Sequence, residues 1–269
     1  MKIAGKVFVV TGGGNGIGRE VVLGLLERGA HVAAVDLNEY SLAETATLAT
    51  AAAKRLTTHS INVTDREGVL ALPSEIIEAH GQVDGLLNIA GIVHPFVPIA
   101  ELDFEAIERV FNVNFWGVVN MTKAFLPALM KRPEAAVLNV SSIGGFIPVP
   151  GQGAYNASKA AVKMFTESLY AESFGTNLAV TIVFPGGVGT SITENSGVDK
   201  DIPGSDDKPT KGYKTTSPAE AGRQIIEGLK KGSLRVRIGS DAKALDRLTR
   251  LMPRRAIEMI VKATKRLEG

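Results

Sequence analysis

The stretch Lys6–Gly18, "KVFVVTGGGNGIG", runs from apolar residues through a cluster of glycines into a helical pattern. The apolar run predicts a buried strand, and the pattern that follows Gly16 predicts a helix. Glycines between the two let the backbone turn tightly, and they let an anion such as a pyrophosphate approach the N–H groups at the helix N-terminus. The stretch therefore predicts the first strand, turn and helix of an α/β fold.

The rest of the chain repeats this alternation of short apolar runs and longer helical patterns. The runs predicted as strands are KVFVV, HVAAVD, LTTHSINV, VDGLLNIA, AAVLNVSS, LAVTIVFPG and LRVRIGS. Helices are predicted at Gly16–Arg28, Glu39–Lys54, Asp65–His80, Phe104–Met130 with a break near Asn112, Tyr155–Phe174 and Pro218–Lys231. Continuously apolar strands are buried on both faces. The fold class is a single-domain, doubly wound, Rossmann-type parallel sheet of about seven strands with helices on both faces.

Composition narrows the function. The 269 residues, 45% of them hydrophobic, suffice for one large core, with residues 1–240 forming the main body and residues 241–269 a helical extension of it. The net charge of +2 does not favour nucleic-acid binding. The absence of cysteine excludes thiolate chemistry and agrees with a reducing compartment, so a cytoplasmic protein is expected. Four scattered histidines predict no metal site.

The glycine turn departs from the literal dinucleotide fingerprint, because Arg19 occupies the place of the third glycine. What remains is T-G-x-x-x-G-x-G at Thr11–Gly18. Asp36 ends the second apolar run, where an acid accepts hydrogen bonds from an adenosine ribose and repels a 2′-phosphate. Neither Asn15 nor Leu37 supplies the cation expected of an NADP site. The sequence therefore favours NAD as cofactor.

Tyr155 and Lys159 are four residues apart in a predicted helix, so their side chains share one face. A phenol has a pKa of about 10, and a cation within about 4–6 Å can lower it toward the range of a general acid or base. Ser142 ends a predicted strand thirteen residues before Tyr155. Strand ends in an open α/β sheet meet at the cofactor crevice, which brings these groups together.

Six motifs in this order resemble those of the short-chain dehydrogenase/reductase family, in its NAD(H)-preferring type. They are T-G-x-x-x-G-x-G at Thr11–Gly18, NIAG at Asn88–Gly91, NVNFWG at Asn112–Gly117, SS at Ser141–Ser142, YNASK at Tyr155–Lys159 and PGGVGT at Pro185–Thr190. The resemblance extends from Lys6 to about Gly239. It implies an oxidoreductase that moves a hydride between NAD(H) and an alcohol or ketone.

The resemblance also implies the catalytic roles. Tyr155 would exchange a proton with the substrate oxygen, and Lys159 would lower the pKa of Tyr155 and bind the nicotinamide ribose. Ser142 would hold the substrate oxygen, while Ser141 would at most cap the strand. Asn114 would support a water relay to the lysine.

Two points about the asparagines stay open. Asn112 could serve the relay while Asn114 caps the following helix. Asn62 stands where many relatives carry an aspartate that binds the adenine amino group, although an amide oxygen can accept the same bond.

The cofactor-binding residues implied by the resemblance extend along the carboxyl edge of the sheet. They are Thr11, Gly12, Asn15, Gly16, Ile17, Gly18, Asp36, Leu37, Asn62, Val63, Asn88, Ala90, Gly91, Tyr155, Lys159, Pro185, Gly186, Val188 and Thr190. Among these, Val188 and Thr190 would bind the nicotinamide carboxamide.

The segments that follow Gly91 and Ser142 are apolar and are expected to line one substrate cleft. The residues concerned are Ile92, Phe96, Phe146, Ile147 and Val149, of which Phe96 and Phe146 join Ser142 and Tyr155 as predicted substrate contacts. No arginine in these segments could clamp a carboxylate, which favours a lipophilic secondary alcohol or ketone. His94 could touch the substrate, but a loop histidine is more often solvated.

Two segments have less specific signals. Ser191–Thr216 is polar and too long for an ordinary connection, so it is expected to be a lid or disordered.

Residues 241–269 contain eight Lys or Arg against four Asp or Glu, with apolar residues at helical spacing. This basic amphipathic pair could contact a membrane surface, but packing in an oligomer or over the cleft is favoured. A homodimer or homotetramer through the helices at Phe115–Met130 and Tyr155–Phe174 is expected from the resemblance.

Two other functions stay open. One is an NADP-linked reductase of 3-oxoacyl thioesters, which Asp36 disfavours. The other is a catalytically silent, nucleotide-sensing scaffold protein, which the presence of Ser142, Tyr155 and Lys159 disfavours.

Overall fold

The computed structural model describes residues 1–198 and 215–268 of the chain. Its centre is one seven-stranded parallel sheet with the strand order β3-β2-β1-β4-β5-β6-β7. The strands are β1 (Val7–Thr11), β2 (His31–Asp36), β3 (Leu56–Ser60), β4 (Gly85–Asn88), β5 (Ala135–Val140), β6 (Leu178–Pro185) and β7 (Arg235–Ile238). The parallel, doubly wound sheet predicted from the sequence is confirmed.

The helices mostly follow the predicted positions. They are α1 (Gly16–Glu27), α2 (Glu39–Leu48), α3 (Arg66–His80), α4 (Phe104–Phe111), α5 (Gly117–Leu129), α6 (Gly153–Glu172), α7 (Ile192–Asn195), α8 (Pro218–Lys231), α9 (Ser240–Leu251) and α10 (Pro253–Glu268). The helix expected to reach Lys54 ends at Leu48, and a 3₁₀ turn covers Thr50–Arg55. A π-helical segment, Asn112–Trp116, joins α4 to α5 near the predicted break.

Two apolar clusters cover the two faces of the sheet. Phe8 and Val10 of β1 pack on one face with α1, α2 and α8, whereas Val9 packs on the other face with α3, α5 and α6. Successive strand residues point to opposite faces, so a strand buried on both sides is apolar at every position. This explains why β1 shows no alternation of polar and apolar residues.

The strand order reverses between β1 and β4, with β2 and β3 on one side and β4 to β7 on the other. In open α/β sheets a ligand binds outside the carboxyl ends of the strands at such a reversal. The residues that follow β1, β4, β5 and β6 are therefore expected to form one ligand site.

Helices α9 and α10 form the C-terminal part of the fold. Their apolar side chains pack on the segment that follows β5, in a cluster that includes Ile147, Leu245 and Ala256. In the part of the chain that the structure describes, no helix is both long enough and apolar enough to cross a bilayer.

Candidate active site

The turn between β1 and α1 leaves little room for side chains at its glycine positions. Gly12 and Gly16 have positive φ angles of 71° and 50°. A Cβ at Gly12 would lie 3.0 Å from the backbone nitrogen of Ala90, and one at Gly18 would lie 1.9 Å from the Gly12 carbonyl oxygen. Within the described residues, α1 has neither a side chain bonded to its first N–H groups nor an acid in its first turn. This open helix N-terminus fits a pyrophosphate group.

Asp36 lies at the end of β2 beside the glycine turn. Its Oδ2 accepts a hydrogen bond from the Gly14 N–H and its Oδ1 accepts one from the Asn38 N–H, each at 3.0 Å. A Cβ at Gly14 would approach Asp36 Oδ2 to 3.0 Å. The carboxylate is therefore fixed at the edge of the turn, the position that a ribose-binding acid requires. Leu37, the next residue, has an exposed side chain.

Arg19, which replaces the third glycine, is bound to α2. Its Nε donates to a carbonyl of the turn at 2.9 Å, and its Nη2 donates to Glu44 Oε2 at 2.7 Å. Asn15 precedes α1 and donates from Nδ2 to Asn195 Oδ1 at 3.4 Å. Ile17 packs on the apolar cluster of α1. Arg19 thus has structural partners where the fingerprint has a glycine.

The ends of β1 and β4 are joined by Thr11, whose Oγ1 accepts hydrogen bonds from the Ile89 and Ala90 N–H groups at 3.0 and 3.2 Å. Asn88 turns its side chain into the protein and donates to Asn139 Oδ1 at 2.8 Å. Asn139 was not among the predicted site residues. Its signal was a single polar residue in the apolar run of β5, which predicts a buried polar contact.

The residues that follow β3 have partners of their own. Asn62 Oδ1 accepts hydrogen bonds from the N–H and hydroxyl groups of Thr64 at 3.0 and 2.9 Å. Val63 is buried against α5, since a Cβ at Gly117 would lie 2.7 Å from its side chain. The Asn62 side-chain oxygen is therefore held in a local turn.

Tyr155 lies in the first turn of α6, and its side chain is hydrogen-bonded to Ser142, which follows β5. Burial raises the pKa of Tyr155, and the Ser142 hydrogen bond acts in the opposite direction. The pKa lies above its ordinary value, whereas the sequence led us to expect a lower one. The reason is that desolvation of the phenolate outweighs the favourable interactions in the protein alone.

Ser141 and Ser142 have different partners. The Ser141 hydroxyl donates to the Lys159 carbonyl at 2.7 Å and so ties β5 to α6. Ser142 Oγ accepts from the Gly144 N–H at 3.1 Å and also bonds to Tyr155. Of the two serines, Ser142 is the one placed beside the phenol.

Lys159 is only 3% exposed. Its Nζ lies 5.8 Å from the centre of the Tyr155 ring and donates to the Val140 carbonyl oxygen at 3.1 Å. Burial lowers the pKa of Lys159 to about 8. A Cβ at Gly91 would lie 3.0 Å from Nζ, so the glycine of the NIAG motif is what admits the lysine.

Asn114 lies in the π-helical segment and is fully buried. Its Oδ1 accepts from the Ile92 N–H at 2.8 Å, while its Nδ2 donates to the Ile92 carbonyl at 3.0 Å and to Ser158 Oγ at 3.1 Å. Asn112 is exposed. The structure therefore brings Asn114, not Asn112, toward the lysine, and a π-helical segment often marks such a functional position.

The turn that follows β6, Pro185–Thr190, lies against the glycine turn. A Cβ at Gly16 would lie 3.3 Å from Thr190 Cγ2. Val188 forms a short parallel bridge with Thr216. The two turns predicted to hold opposite ends of the cofactor are thus neighbours.

Asp241, in the first turn of α9, is a functional candidate that the sequence analysis missed. Its Oδ2 accepts a hydrogen bond from the Gly187 N–H at 3.1 Å. A Cβ at Gly186 would lie 2.1 Å from the same oxygen. The contact joins residues 54 positions apart, so no local pattern could have indicated it.

An apolar cluster adjoins the phenol of Tyr155. Its members are Val93, Phe96, Tyr155, Ile192 and Val198. The segment predicted as a lid, Ser191–Thr216, contributes α7 and Val198, and most of the remainder lies outside the described residues. Phe96 is therefore near Tyr155, as expected.

Phe146 and Ile147 are not brought together with Phe96. Both belong to the cluster formed with α9 and α10, and Phe146 contacts Phe184 with ring centres 5.3 Å apart. The C-terminal helices supply apolar partners that the sequence analysis did not assign, so these side chains pack inside the fold.

His94 is fully buried, so the expectation of a solvated histidine is wrong. Its Nδ1 lies 2.6 Å from the Pro95 carbonyl oxygen. Burial lowers the pKa of His94, and the Pro95 carbonyl raises it. The imidazole is thus held in its loop by the carbonyl of the next residue.

The family model described as short chain dehydrogenase matches residues 6–201. The chain belongs to the short-chain dehydrogenase/reductase family. A Mycobacterium tuberculosis protein named "Putative oxidoreductase SadH" is 40% identical over 255 residues, which are 92% of this chain and 91% of that protein. The 3-oxoacyl-[acyl-carrier-protein] reductase FabG of Thermotoga maritima is 35% identical over 196 residues, 72% of this chain and 78% of its own. The protein is an oxidoreductase of this family.

Two solved family structures bear on the cofactor. A Burkholderia phymatum enzyme in complex with NAD has a TM-score of 0.83 at 25% identity, covering 93% of this chain and 94% of its own. A Burkholderia cenocepacia enzyme in complex with NADP has a TM-score of 0.80 at 27% identity, covering 97% and 99%. The fold therefore accommodates either dinucleotide.

Proposed function

We propose that this protein is an NAD(H)-dependent dehydrogenase that interconverts a hydrophobic secondary alcohol and its ketone. The proposal depends on one observation. Ser142, Tyr155, Lys159 and Asn114 converge at the carboxyl ends of β4 and β5, beside the open N-terminus of α1.

The residues fit the cofactor, as the glycine turn and the uncapped helix indicate. When bound, the dinucleotide would accept a hydride from the alcohol or donate one to the ketone. The turn at Gly12–Gly18 would bind the pyrophosphate and Asp36 the adenosine ribose. The turn at Pro185–Thr190 would hold the nicotinamide end.

The protein's own groups would carry the proton. Tyr155 would accept it at the phenolic oxygen during oxidation and return it during reduction. Ser142 would donate a hydrogen bond to the substrate oxygen as negative charge develops there. The ammonium of Lys159 would stabilise the phenolate, and Asn114 would keep the Ile92 backbone in place beside it.

NAD is proposed over NADP because of Asp36. Its carboxylate would repel a 2′-phosphate, and Arg19 already has Glu44 as its partner. Calorimetric titration with NADH and NADPH tests the preference. Wild type should bind NADH at least about tenfold more tightly, and Asp36→Ala should narrow that ratio. Equal affinity of the wild type for both cofactors would contradict the proposal.

A lipophilic substrate is proposed because an apolar cluster of Val93, Phe96, Ile192 and Val198 adjoins Tyr155. The Arg109 side chain is already used within the fold, because its Nη2 donates to the Ser196 carbonyl oxygen at 2.8 Å. A 3-oxoacyl thioester remains the second candidate, since the FabG relative acts on that substrate class. A panel of cyclic ketones, steroid ketones and acetoacetyl thioesters separates the two by kcat/KM.

Tyr155→Phe tests the proton carrier. Reduction of the best ketone should fall by about three orders of magnitude while NADH affinity is retained, because only the phenolic oxygen is lost. Tyr170→Phe, the same change on the same helix, should have wild-type activity. Turnover by Tyr155→Phe near the wild-type rate would overturn the assignment.

We also propose a cytoplasmic homodimer or homotetramer. Trp116, the last residue of the π-helical segment before α5, and Met164 of α6 are exposed, and the family resemblance implies assembly through this part of the fold. Light scattering on the purified protein would give the number of subunits.

A further inference from the structure

Helix α7 and the residues after it fold back toward the body of the protein. Gly197 has a positive φ of 66°, and the N–H groups of Gly197 and Val198 donate to the Glu194 and Thr193 carbonyls at 3.0 and 3.1 Å. This pair of hydrogen bonds ends a helix at a left-handed glycine. It turns the chain so that Val198, which is 7% exposed, packs in the apolar cluster that contains Tyr155.

Ser196, which ends α7, joins the helix to the segment that follows β4. The residue is only 2% exposed. Its Oγ accepts a hydrogen bond from the Val93 N–H at 3.0 Å and donates one to the Ile192 carbonyl within its own turn. Val93 is buried in the same apolar cluster as Val198. Loss of the Ser196 hydroxyl would therefore leave a buried N–H group without its acceptor, which is unfavourable.

Arg109 of α4 binds the same residue through its backbone. The Arg109 Nη2 donates to the Ser196 carbonyl at 2.8 Å. Carbonyls in the last turn of a helix lack partners within the helix, and a nearby arginine can supply one. Ser196 thus connects α7 to α4 as well as to the segment after β4. These bonds fix the turn whose Ile192 and Val198 side chains pack in the cluster with Tyr155.

We propose that Arg109 and Ser196 are positioning residues that fix α7 against Tyr155 and so select which substrates fit beside the phenol. The side chains that α7 presents, Ile192 and Val198, would form one apolar wall of the substrate site. A wall held in place excludes ketones that are too wide for the space beside it, whereas a wall that moves away admits them and binds each one more weakly. The selection of substrates rests on the proposed function, but the fixing of α7 does not.

Amide hydrogen exchange of the full chain, followed by NMR, tests the fixing of α7 without a substrate. The reporter is the Val198 N–H, which donates to the Thr193 carbonyl, so neither substitution removes its acceptor. A four-residue helix is not stable alone, and its amides exchange when it leaves the body. Ser196→Ala should speed exchange at Val198 about tenfold and Arg109→Met about fivefold, as expected for the loss of one hydrogen bond each. Exchange at Val137 in β5 should be unchanged.

Steady-state kinetics with the best ketone of the panel test the selection of substrates. Ser196→Ala should raise KM about tenfold and Arg109→Met about fivefold, while kcat and NADH affinity stay within about twofold, because the proton-transfer groups are intact. The ratio of kcat/KM for a steroid ketone to that for a small cyclic ketone should rise at least about threefold. A general loss of folding would instead lower the active fraction, and with it kcat, at an unchanged KM.

The matched control is Arg254→Met, which removes an exposed arginine that pairs with Glu258 on α10. It should leave exchange at Val198 and the kinetics as in the wild type.

Exchange at Val198 that is as slow in both variants as in the wild type would overturn the proposal. Faster exchange with KM and the ketone ratio unchanged would also overturn it, since α7 would then have no part in selection. If Arg109→Met lost activity toward acidic ketones such as acetoacetate alone, with exchange at Val198 unchanged, Arg109 would be a substrate ligand instead. Wild type that reduced no ketone would contradict the proposed function, and the acetoacetyl thioester would then serve for the same KM comparison.

Discussion

Asp84 and Lys159 are both buried charged side chains beside the central strands, at opposite ends of the sheet. Asp84 precedes β4 and is fully buried, yet its two oxygens accept from the Val7 N–H at 2.9 Å, from Gln82 at 2.8 Å and from Arg132 at 2.9 Å. Lys159 lies behind the carboxyl end of β5, and among the described residues no carboxylate pairs with it. One charge is neutralised and the other is not.

The difference separates structure from chemistry. A buried charge with complete partners stabilises the fold only while those partners remain. A buried ammonium without a counter-ion costs stability, and its pKa falls until it can lose its proton near neutrality. The fold retains that cost at the end of the sheet where we propose that the proton moves.

The largest expected effect is on activity in Lys159→Met. We expect kcat/KM for ketone reduction to fall roughly 10³-fold, because the phenolate loses its cation. Stability at pH 7 should stay the same or rise, since an unpaired buried charge is replaced by an apolar side chain. Steady-state kinetics and urea denaturation of the same preparation measure both. A variant that lost stability and kept its rate would reverse the assignment.

Asp84→Ala should have the opposite outcome. Removal of the carboxylate leaves the Val7 N–H and Arg132 without their partner, so we expect a loss of about 3 kcal/mol in the free energy of unfolding. Specific activity at a permissive temperature should be unchanged, because Asp84 lies at the far end of the sheet. Arg254→Ala, which opens an exposed ion pair, serves as control and should leave the denaturation midpoint in place.

The strands, the glycine turn and the catalytic candidates could be predicted from the sequence, but the partners of Asp84 could not. The strands were readable because burial on both faces makes their residues apolar, and the glycine turn because its backbone excludes side chains. Asn114 could be named from the motif, but the choice over Asn112 needed the π-helical segment that turns it inward. Two partners of Asp84, Val7 and Arg132, lie 77 and 48 positions away in the chain, and only the folded topology brings them to it.

The errors have a similar origin. Phe146 was expected in the substrate cleft because it follows Ser142, but it packs against the C-terminal helices. The pKa of Tyr155 was expected to be lowered because a cation lies nearby. That expectation left out burial of the phenol, which raises the pKa and is not visible in a sequence. Local patterns report on backbone and periodicity, whereas desolvation depends on everything that packs around a group.

The pH dependence of stability sharpens the contrast. The pKa of Lys159 falls from 10.5 to about 8 in the folded protein. Between those pH values the unfolded chain holds more protons, so stability rises with pH, by roughly 3 kcal/mol over the full window. Below pH 8 Lys159 is protonated in both the folded and the unfolded chain, so burial of its ammonium lowers the free energy of unfolding by the full amount. Urea denaturation of wild type and Lys159→Met at several pH values should show this rise in the difference between them. Parallel curves would contradict the lowered pKa.

The smallest expected effect is on the link between α9 and the cofactor turn. Asp241→Ala removes the acceptor for the Gly187 N–H and should weaken NADH binding about fivefold, as expected for the loss of one hydrogen bond. The rate at saturating cofactor should change little, because Asp241 is not one of the residues that converge around Tyr155. Lys243→Ala, an exposed change on the same helix, should bind NADH normally. If Asp241→Ala lowered the rate at saturation and left NADH affinity intact, the C-terminal helices would act on the proton carrier through Phe146 and Ile147 instead of on the cofactor turn.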